Sequence, residues 1–352
     1  MSTLNQLAEA LGKISDRSPG LERESCINQR HLRAGQCDSC AAACPVDAIT
    51  LTPVPQIDST ACLACGACVA ACPSEALQGR RTVVETWRAA RQTAVNHAGA
   101  AFVCQAVSGE QFAAARVPCM SALPAEVYIA LAAAGVQRAV VYTADCTACP
   151  LAASLAQAER ALADAEAVLN VLDLSVQVTA KVGRPPLAET RATGVSRRDF
   201  LSAFLKRPPE KPDMGDDVDH FLTAGIKPRR ALLLEALNRV PIPEAAQMAA
   251  SPNHWGLLEA SQDCIGCPMC AELCPTGALT LTEHEGDASV QLRFNPAGCT
   301  ACGLCVRACF KHALSWQDSL PLKALAADQD MLLWEGRAPA DPLKSLPPRR
   351  RP

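Results

Sequence analysis

The middle of the chain alternates between short apolar runs and longer helical patterns. Helices are predicted at 124–134, which Gly135 closes, and at 151–169, which is rich in alanine. Strands that alternate with helices form parallel sheets with right-handed crossovers, so residues 85–180 are predicted to be a small α/β domain. Its strands are predicted at 101–104, 115–119 and 139–143, where apolar runs are bounded by turn-forming residues.

Two further segments share one pattern of loop, hairpin, loop and short helix. In the first, 48–51 and 56–58 read as paired strands, and in the second the strands are 278–282 and 289–294, joined by a longer polar turn at 283–287. The chain therefore contains an internal duplication, with copies at 26–84 and 261–318. The predicted fold class is α+β, in which the two copies flank a small α/β parallel-sheet domain.

The remaining segments carry weaker patterns. Residues 1–25 contain apolar positions at helical spacing over 4–11, which predicts a short N-terminal helix. Residues 181–260 are rich in proline and charge and are expected to be a linker with helices near 221–222 and 231–237. Residues 319–352 are assigned to a C-terminal tail, which is expected to be disordered from 337 onward.

Charge and hydropathy exclude some functions. The net charge of −3 over 352 residues argues against a nucleic-acid surface. No stretch approaches the ~18 apolar residues of a membrane span, so membrane association is expected only through a partner, and the expected location is cytoplasmic. A basic group is most simply a solvated face, with docking of an acidic partner as the alternative. It consists of Arg191, Arg197, Arg198, Arg229 and Arg230.

The segment Ser196-Arg197-Arg198-Asp199-Phe200-Leu201 is similar to the twin-arginine export consensus. Such a signal belongs at an N-terminus ahead of an apolar run, whereas this one lies mid-chain. We therefore interpret it as the start of a helix, with Ser196 as the N-cap.

Cysteine is the chemically most informative residue type, with twenty in the chain. Sixteen lie in the two duplicated segments, at the spacing by which thiolates hold cubane iron–sulfur clusters. The second segment reads Cys264-x2-Cys267-x2-Cys270-x3-Cys274-Pro275 and Cys299-x2-Cys302-x2-Cys305-x3-Cys309. The first segment reads Cys26-x10-Cys37-x2-Cys40-x3-Cys44-Pro45 and Cys62-x2-Cys65-x2-Cys68-x3-Cys72-Pro73.

Disulfides and zinc are the other roles open to such cysteines. A disulfide framework would not produce triplets at a spacing of three, and no cleavable signal peptide is evident. Structural zinc usually takes two distant C-x2-C pairs, whereas each run here offers a third cysteine on the same loop and a fourth three residues later. The spacing therefore favours iron–sulfur clusters.

Both segments resemble bacterial dicluster ferredoxins, in which the fourth cysteine of each run ligates the other cluster. The resemblance implies four ligand sets of [4Fe–4S] clusters. They are Cys264, Cys267, Cys270 and Cys309; Cys299, Cys302, Cys305 and Cys274; Cys62, Cys65, Cys68 and Cys44; and Cys37, Cys40 and Cys72 with Cys26.

The last of these sets departs from the family pattern. Ala34 stands where the motif places its first thiolate, so Cys26 must return to the cluster across a longer loop. The alternative is a three-iron or missing cluster, with Cys26 a free thiol.

The other four cysteines fall at or after the predicted strands of the α/β domain. Cys104 ends the first strand, Cys119 the second, and Cys146-x2-Cys149 follows the third. Because the carboxyl ends of parallel strands share one edge, four thiols are expected to converge there, although buried cysteine also packs as a small hydrophobe. The segment is similar to the small iron–sulfur subunit associated with methyl-viologen-reducing hydrogenase and heterodisulfide reductase, which implies a [2Fe–2S] cluster. A redox-active thiol pair and zinc are the alternatives.

No dinucleotide, P-loop or zinc-protease motif accompanies these cysteines. The sequence therefore predicts a noncatalytic electron-transfer subunit that relays electrons between a redox partner protein or oxidoreductase complex and an acceptor. A ferredoxin-linked disulfide or thiol reductase that uses the central four cysteines is one alternative. An iron–sulfur redox sensor is another.

Overall fold

A computed structural model describes residues 17–30, 36–96, 99–109, 112–186, 218–251, 254–283 and 289–337. Four predicted features lie outside the described residues. They are the N-terminal helix at 4–11, the twin-arginine segment at 196–201, most of the polar turn at 283–287 and the tail beyond 337.

The first cysteine segment folds around two small antiparallel pairs. Strand β1 pairs with β4, and β2 pairs with β3 to give the predicted hairpin, with Ile49 opposite Ile57. The elements are β1 (Gly20–Leu21), α1 (Ile27–Arg30), α2 (Ser39–Ala42), β2 (Ile49–Leu51), β3 (Pro55–Ile57), α3 (Ala67–Ala71) and β4 (Leu77–Gln78).

The central segment forms a four-stranded parallel sheet in the order β6-β5-β7-β8, which confirms the predicted parallel sheet. Helix α4 and strand β8 are additions that the sequence analysis did not predict. Strand β8 is an edge strand with mostly exposed side chains, so it lacks the apolar run that marked the other three strands. The elements are α4 (Val83–Asn96), β5 (Ala100–Cys104), β6 (Ala115–Val117), α5 (Ala125–Ala133), β7 (Arg138–Thr143), α6 (Leu155–Val171) and β8 (Gln177–Val182).

The next described segment supplies α7 (Val218–Thr223), α8 (Pro228–Asn238), β9 (Gln247–Ala249) and β10 (Leu258–Ala260), and both helices confirm the predicted ones. Helix α8 begins at Pro228, a residue whose missing N–H costs nothing in the first turn. Every side chain from Arg229 to Leu237 is buried, because α8 lies between α4, α5 and α7. The interpretation of Arg229 and Arg230 as part of a solvated face is therefore wrong.

The second cysteine segment repeats the hairpin of the first and extends it. Strand β12 pairs with β11, as predicted, and also with β15, while β10 pairs with β13 and β14 with β9. Residues 319–337, expected to belong to a tail, are ordered because β14 and β15 pair with neighbouring strands. The elements are α9 (Met269–Leu273), β11 (Leu279–Glu283), β12 (Ser289–Phe294), α10 (Leu304–Ala308), β13 (Leu314–Trp316), β14 (Ser319–Pro321), α11 (Leu322–Ala326) and β15 (Met331–Arg337).

The α/β domain and the second cysteine segment share one continuous hydrophobic core. Trp87 and Tyr128 from the former belong to the same cluster of buried side chains as Trp255 and Phe294 from the latter. The first cysteine segment has a separate, smaller core of eight buried residues, of which four are cysteines. Half of the small core thus consists of residues expected to hold clusters.

Candidate metal centres

The four cysteine runs share one backbone design. The third residue after the last cysteine of each run has a positive φ, and these residues are Asp47, Glu75, Gly277 and His312. The complete runs that end at Cys72 and Cys309 also share two positive φ angles inside the run. These are at Ala64 (51°) and Gly66 (80°) in the first, and at Ala301 (50°) and Gly303 (72°) in the second. The left-handed residues curl each run so that its first three cysteines face the same side.

In the second cysteine segment, two cavities are each lined by four cysteines. Site I is lined by Cys264, Cys267, Cys270 and Cys309. Site II is lined by Cys274, Cys299, Cys302 and Cys305. In each site the fourth cysteine comes from the other run. Their remaining walls include apolar side chains such as Leu292 and Leu314 at site I, and Phe294 and Trp316 at site II.

The stretched run of the first segment also closes on a cavity. This cavity, site III, is lined by Cys26, Cys37, Cys40 and Cys72. The Asn28 side chain holds the two ends of the loop together, because its amide N–H donates to the carbonyl of Cys37 at 2.8 Å and its oxygen accepts from the N–H of Cys37 at 2.8 Å. The structure thus places Cys26 beside the other three thiols. Asn28 was not identified from the sequence, since nothing in the motif marks it.

Site IV consists of Cys44, Cys62, Cys65 and Cys68. Burial raises the pKa of Cys68 well above its ordinary value, and the neighbouring thiols of Cys65, Cys62 and Cys44 raise it further. Burial also raises the pKa of Cys65, with Cys44 and Cys62 among the thiols that add to the shift. The cysteines of site IV therefore lie together as well.

Burial dominates the protonation of these thiols. It raises the pKa of Cys40, Cys270 and Cys299 to about 12 each and that of Cys302 to about 11. Four buried thiolates side by side would repel one another, so each site needs a positive centre before its thiols can ionise. Iron supplies that charge, and cluster binding would displace the thiol protons. The donor sets and the apolar cavities therefore fit [4Fe–4S] clusters.

Backbone amides donate hydrogen bonds to the cysteine sulfurs in a repeated pattern. The last cysteine of a run accepts from the residue four positions later, as in Ala76 N to Cys72 Sγ at 3.2 Å and Ala313 N to Cys309 Sγ at 3.4 Å. The first accepts from the residue two positions later, as in Ala301 N to Cys299 Sγ at 3.3 Å. Such bonds to sulfur stabilise the charged form and help to set the reduction potential of a cluster.

The four central cysteines also converge. Site V consists of Cys104, Cys119, Cys146 and Cys149, at or beyond the carboxyl ends of β5, β6 and β7. Burial raises the pKa of Cys104, and the thiols of the other three cysteines raise it further. Cys104 Sγ donates to the carbonyl of Pro118 at 3.4 Å, and Cys119 Sγ lies 3.9 Å from Ser154 Oγ. All twenty cysteines of the five sites are free of disulfides.

The five sites are neighbours in the order I, II, III, IV, V. In each case burial is the main cause of a raised pKa, and a thiol of the adjacent site adds to it. Between sites I and II, Cys270 raises the pKa of Cys305, and between II and III, Cys37 raises that of Cys302. Between sites III and IV, Cys40 raises the pKa of Cys68, and between IV and V, Cys119 raises that of Cys65. Cys65 and Cys119 also share a small hydrophobic cluster with Leu151.

A model of the 4Fe-4S dicluster domain matches residues 35–76 and 263–313. The chain carries two 4Fe-4S dicluster domains. The first and second cysteine segments are accordingly dicluster domains of an iron–sulfur electron-transfer protein, with a small parallel-sheet domain between them. The two matches leave out Cys26 and all four cysteines of site V. No curated protein matches the chain.

Single-metal sites and membrane-spanning helices are both absent from the described residues. No three histidine, cysteine, aspartate or glutamate side chains there form a group that could hold a single metal ion. Ligands of a cubane bind separate irons, so this criterion does not apply to a cluster. No helix within the described ranges has both the length and the apolar character needed to cross a membrane.

A buried charged network joins the two dicluster domains. Arg229 forms an ion pair with Glu126 at 3.1 Å and donates to the carbonyls of Ala70 at 2.9 Å and Cys72 at 3.3 Å, both in the first dicluster domain. Arg230 donates to the carbonyl of Cys299 in the second dicluster domain. The first turn of α8 therefore contacts the backbone of sites II and III.

Proposed function

We propose that the chain relays electrons along the row of five sites, with [4Fe–4S] clusters held by the cysteines of sites I to IV. The observation that supports the proposal is the continuity of the row, since in every adjacent pair a thiol of one site adds to the raised pKa of a buried thiol in the next. A dicluster domain alone would need only two neighbouring sites. Here the second domain continues into the first through Cys302 and Cys37.

The clusters would supply the redox chemistry, while the chain supplies burial, sulfur-directed amides and spacing. Cys26 is proposed as the fourth ligand at site III, because it is only 7% exposed and lines the same cavity as Cys37, Cys40 and Cys72.

Site V is proposed as the terminal redox site of the row. Four thiols suit a [2Fe–2S] cluster, and the contact between Cys119 and Cys65 would connect it to site IV. Sites I and V lie at the two ends of the row, and each has partly exposed cysteines, such as Cys267 at site I and Cys146 at site V. The donor and acceptor are therefore proposed to be redox proteins that dock at these two ends.

Iron and sulfide analysis of the anaerobically purified full chain tests the cluster assignment. Four cubanes require about sixteen irons, and a [2Fe–2S] cluster at site V raises the count to about eighteen. Electron paramagnetic resonance of the fully reduced protein should show coupling among all the clusters. A spectrum that is the plain sum of two isolated cluster pairs would contradict the continuous row.

The variant Cys26→Ser tests the ligand at site III. We expect site III to lose its normal cubane signal, with a three-iron signal or a loss of about four irons, while the other sites keep theirs. Cys26→Ser with unchanged iron content and spectrum would show that Cys26 is a free thiol.

A thiol reductase is the second candidate function. Cys146 and Cys149 are both partly exposed and lie in one turn, which the bond from the N–H of Cys149 to the carbonyl of Cys146 closes at 3.3 Å. Reactive dithiols are commonly C-x2-C pairs with access to solvent. Steady turnover of a small disulfide by the purified chain, abolished in Cys146→Ser, would establish this function. A count of about eighteen irons with no turnover would exclude it.

A further inference from the structure

The two arginines that begin α8 are both buried but have different partners. Arg229 is 7% exposed, and its charge is balanced by the carboxylate of Glu126 at 3.1 Å. Its backbone N–H also donates to the carboxylate of Glu75 at 3.1 Å. Arg229 is therefore a buried cation with anionic partners beside it.

Arg230 is 3% exposed and lacks a comparable partner. Its Nη2 donates to the carbonyls of His254 and Cys299, and its Nη1 has no hydrogen-bond partner among the residues that the structure describes. Within the same ranges, no carboxylate forms an ion pair with Arg230. Burial lowers the pKa of Arg230, while the Cys299 thiolate is the largest influence in the other direction and the more distant carboxylates of Glu126 and Glu75 add to it.

A buried cation with no ion-paired carboxylate is costly, so a protein that keeps one normally places a further negative group near it. The nearest candidate is site II, because Arg230 donates to the backbone of one of its four cysteines and interacts electrostatically with that thiol. Four thiolates around a cluster carry net negative charge, which increases when the cluster is reduced. In a buried, weakly screened location, a fixed positive charge favours the reduced state.

We propose that Arg230 is the built-in counter-cation of site II and raises the reduction potential of the cluster held there. The inference rests on the proposed function, since it requires a cluster at site II. Reduction adds one electron from the donor, forms and breaks no bond, and needs no proton because the guanidinium already balances the charge. Site II lies between I and III, so an electron would reside longest near the junction of the two dicluster domains.

The same site offers a matched control. Arg307 Nη2 donates to the carbonyl of Cys302, another cysteine of site II, at 3.3 Å, but Arg307 is exposed to solvent. Water screens an exposed charge and leaves a buried one largely unscreened. Removing the guanidinium of Arg307 should therefore affect the same cluster much less than removing that of Arg230.

The experiment is an anaerobic redox titration of the full chain with dithionite, followed by electron paramagnetic resonance. We expect Arg230→Met to shift the midpoint potential of one cluster to a more negative value and to leave the others in place, and Arg307→Met to produce a much smaller shift. Arg230→Lys keeps the charge but cannot reproduce the planar guanidinium, so its potential should stay near that of the wild type. Iron analysis of each variant reports cluster occupancy.

Unchanged potentials in a fully loaded Arg230→Met would overturn the proposal, as would an equal shift in Arg307→Met or a shift in Arg230→Lys as large as in Arg230→Met. If Arg230→Met loses iron or fails to fold, an Arg230→Lys variant that keeps its iron and its fold supports a role of the charge. If Arg230→Lys also loses iron or fails to fold, Arg230 has a purely structural role. A wild-type chain without cubane iron would instead refute the proposed function itself.

Discussion

Glu126 lies in the core as a carboxylate because its partners outweigh the effect of burial. Burial by itself would raise the pKa of Glu126, but the Arg229 guanidinium and the His254 imidazole hold it well below its usual range. His254 Nε2 in turn lies 3.2 Å from Asp164 Oδ2. The network connects α5, α6 and α8, so the charge state of one residue affects the packing of three helices.

We expect Glu126→Gln to lower the free energy of unfolding by about 3 kcal/mol at pH 7, since it leaves the charge of Arg229 buried and unbalanced. A carboxyl with a depressed folded-state pKa stabilises fully above its unfolded pKa of about 4.3 and loses that contribution as the pH falls toward the folded value. The difference between wild type and variant should therefore be present at pH 7 and shrink as the pH falls below about 5. Urea unfolding followed by far-UV circular dichroism measures it.

Glu244→Gln is the control, because Glu244 pairs with Lys323 at the surface and is 88% exposed. It should change stability little at any pH. A Glu126→Gln variant that behaves like Glu244→Gln would show that the buried pair makes no net contribution.

At the residue scale, the cysteines could be identified from the sequence because their spacing alone reflects the geometry of the cluster loops. The roles of Asn28, Arg229 and Glu126 could not be identified from the sequence. Their roles depend on partners up to about 160 residues away, as with Arg229 and the carbonyl of Ala70, and burial of an arginine pair has no local signature. The adjacent charges of Arg229 and Arg230 even favoured the interpretation that both side chains are exposed to solvent.

Two equivalent glycines precede equivalent helices and have different surroundings. Gly66 before α3 and Gly303 before α10 have φ angles of 80° and 72°. A Cβ at Gly66 would lie 2.7 Å from the Cβ of Ala122, in the α/β domain, whereas one at Gly303 would meet only the flexible end of Arg307, at 2.8 Å from Nη1. The first helix is therefore constrained by its neighbouring domain and the second is not.

We expect Gly303→Ala to cost about 1 kcal/mol, the usual penalty of a side chain at positive φ. Gly66→Ala should cost about 3 kcal/mol, because overpacking against Ala122 adds to that penalty. Urea unfolding of the two iron-loaded variants measures both values. Equal decreases in the free energy of unfolding would mean that the contact between α3 and the α/β domain adjusts to the added methyl group without strain.

At the element scale, the sequence predicted most of the strands and helices that have a fully buried side, although it missed α4, whose Val84, Trp87 and Ala90 are buried. Strands β5 and β7 and helix α8 are among those predicted. Strands β8 and β15 were not predicted, because both lie at sheet edges with largely exposed side chains. Their pairing depends on neighbours remote in sequence, so the pattern of apolar and polar residues along the strand does not indicate it.

The molecule has two cores that depend on iron to different degrees. Four of the eight buried residues in the core of the first dicluster domain are cysteines of sites III and IV. The larger core, which includes Trp87, Tyr128 and Phe294, has an extensive apolar content of its own. Small domains with few apolar contacts depend on their cofactor for stability.

We expect anaerobic chelation of the iron to increase hydrogen exchange first in residues 36–78. Strands β5 and β7 and helices α5 and α8 should stay protected longer, since their burial does not depend on a cluster. Exchange followed by mass spectrometry, with the iron-loaded chain as the reference, measures this order. A uniform loss of protection would show that the two cores unfold as one unit.

The order of sites along the row differs from the order of cysteines along the chain. Sites III, IV and V are formed by residues 26–149, whereas sites I and II require residues 264–309. During synthesis a ribosome therefore releases every cysteine of one three-site end before any cysteine of the other end. The junction between Cys37 and Cys302 can form only after residues 264–309 have emerged. The two ends of the row would therefore be loaded with iron separately before electrons could pass from one end to the other.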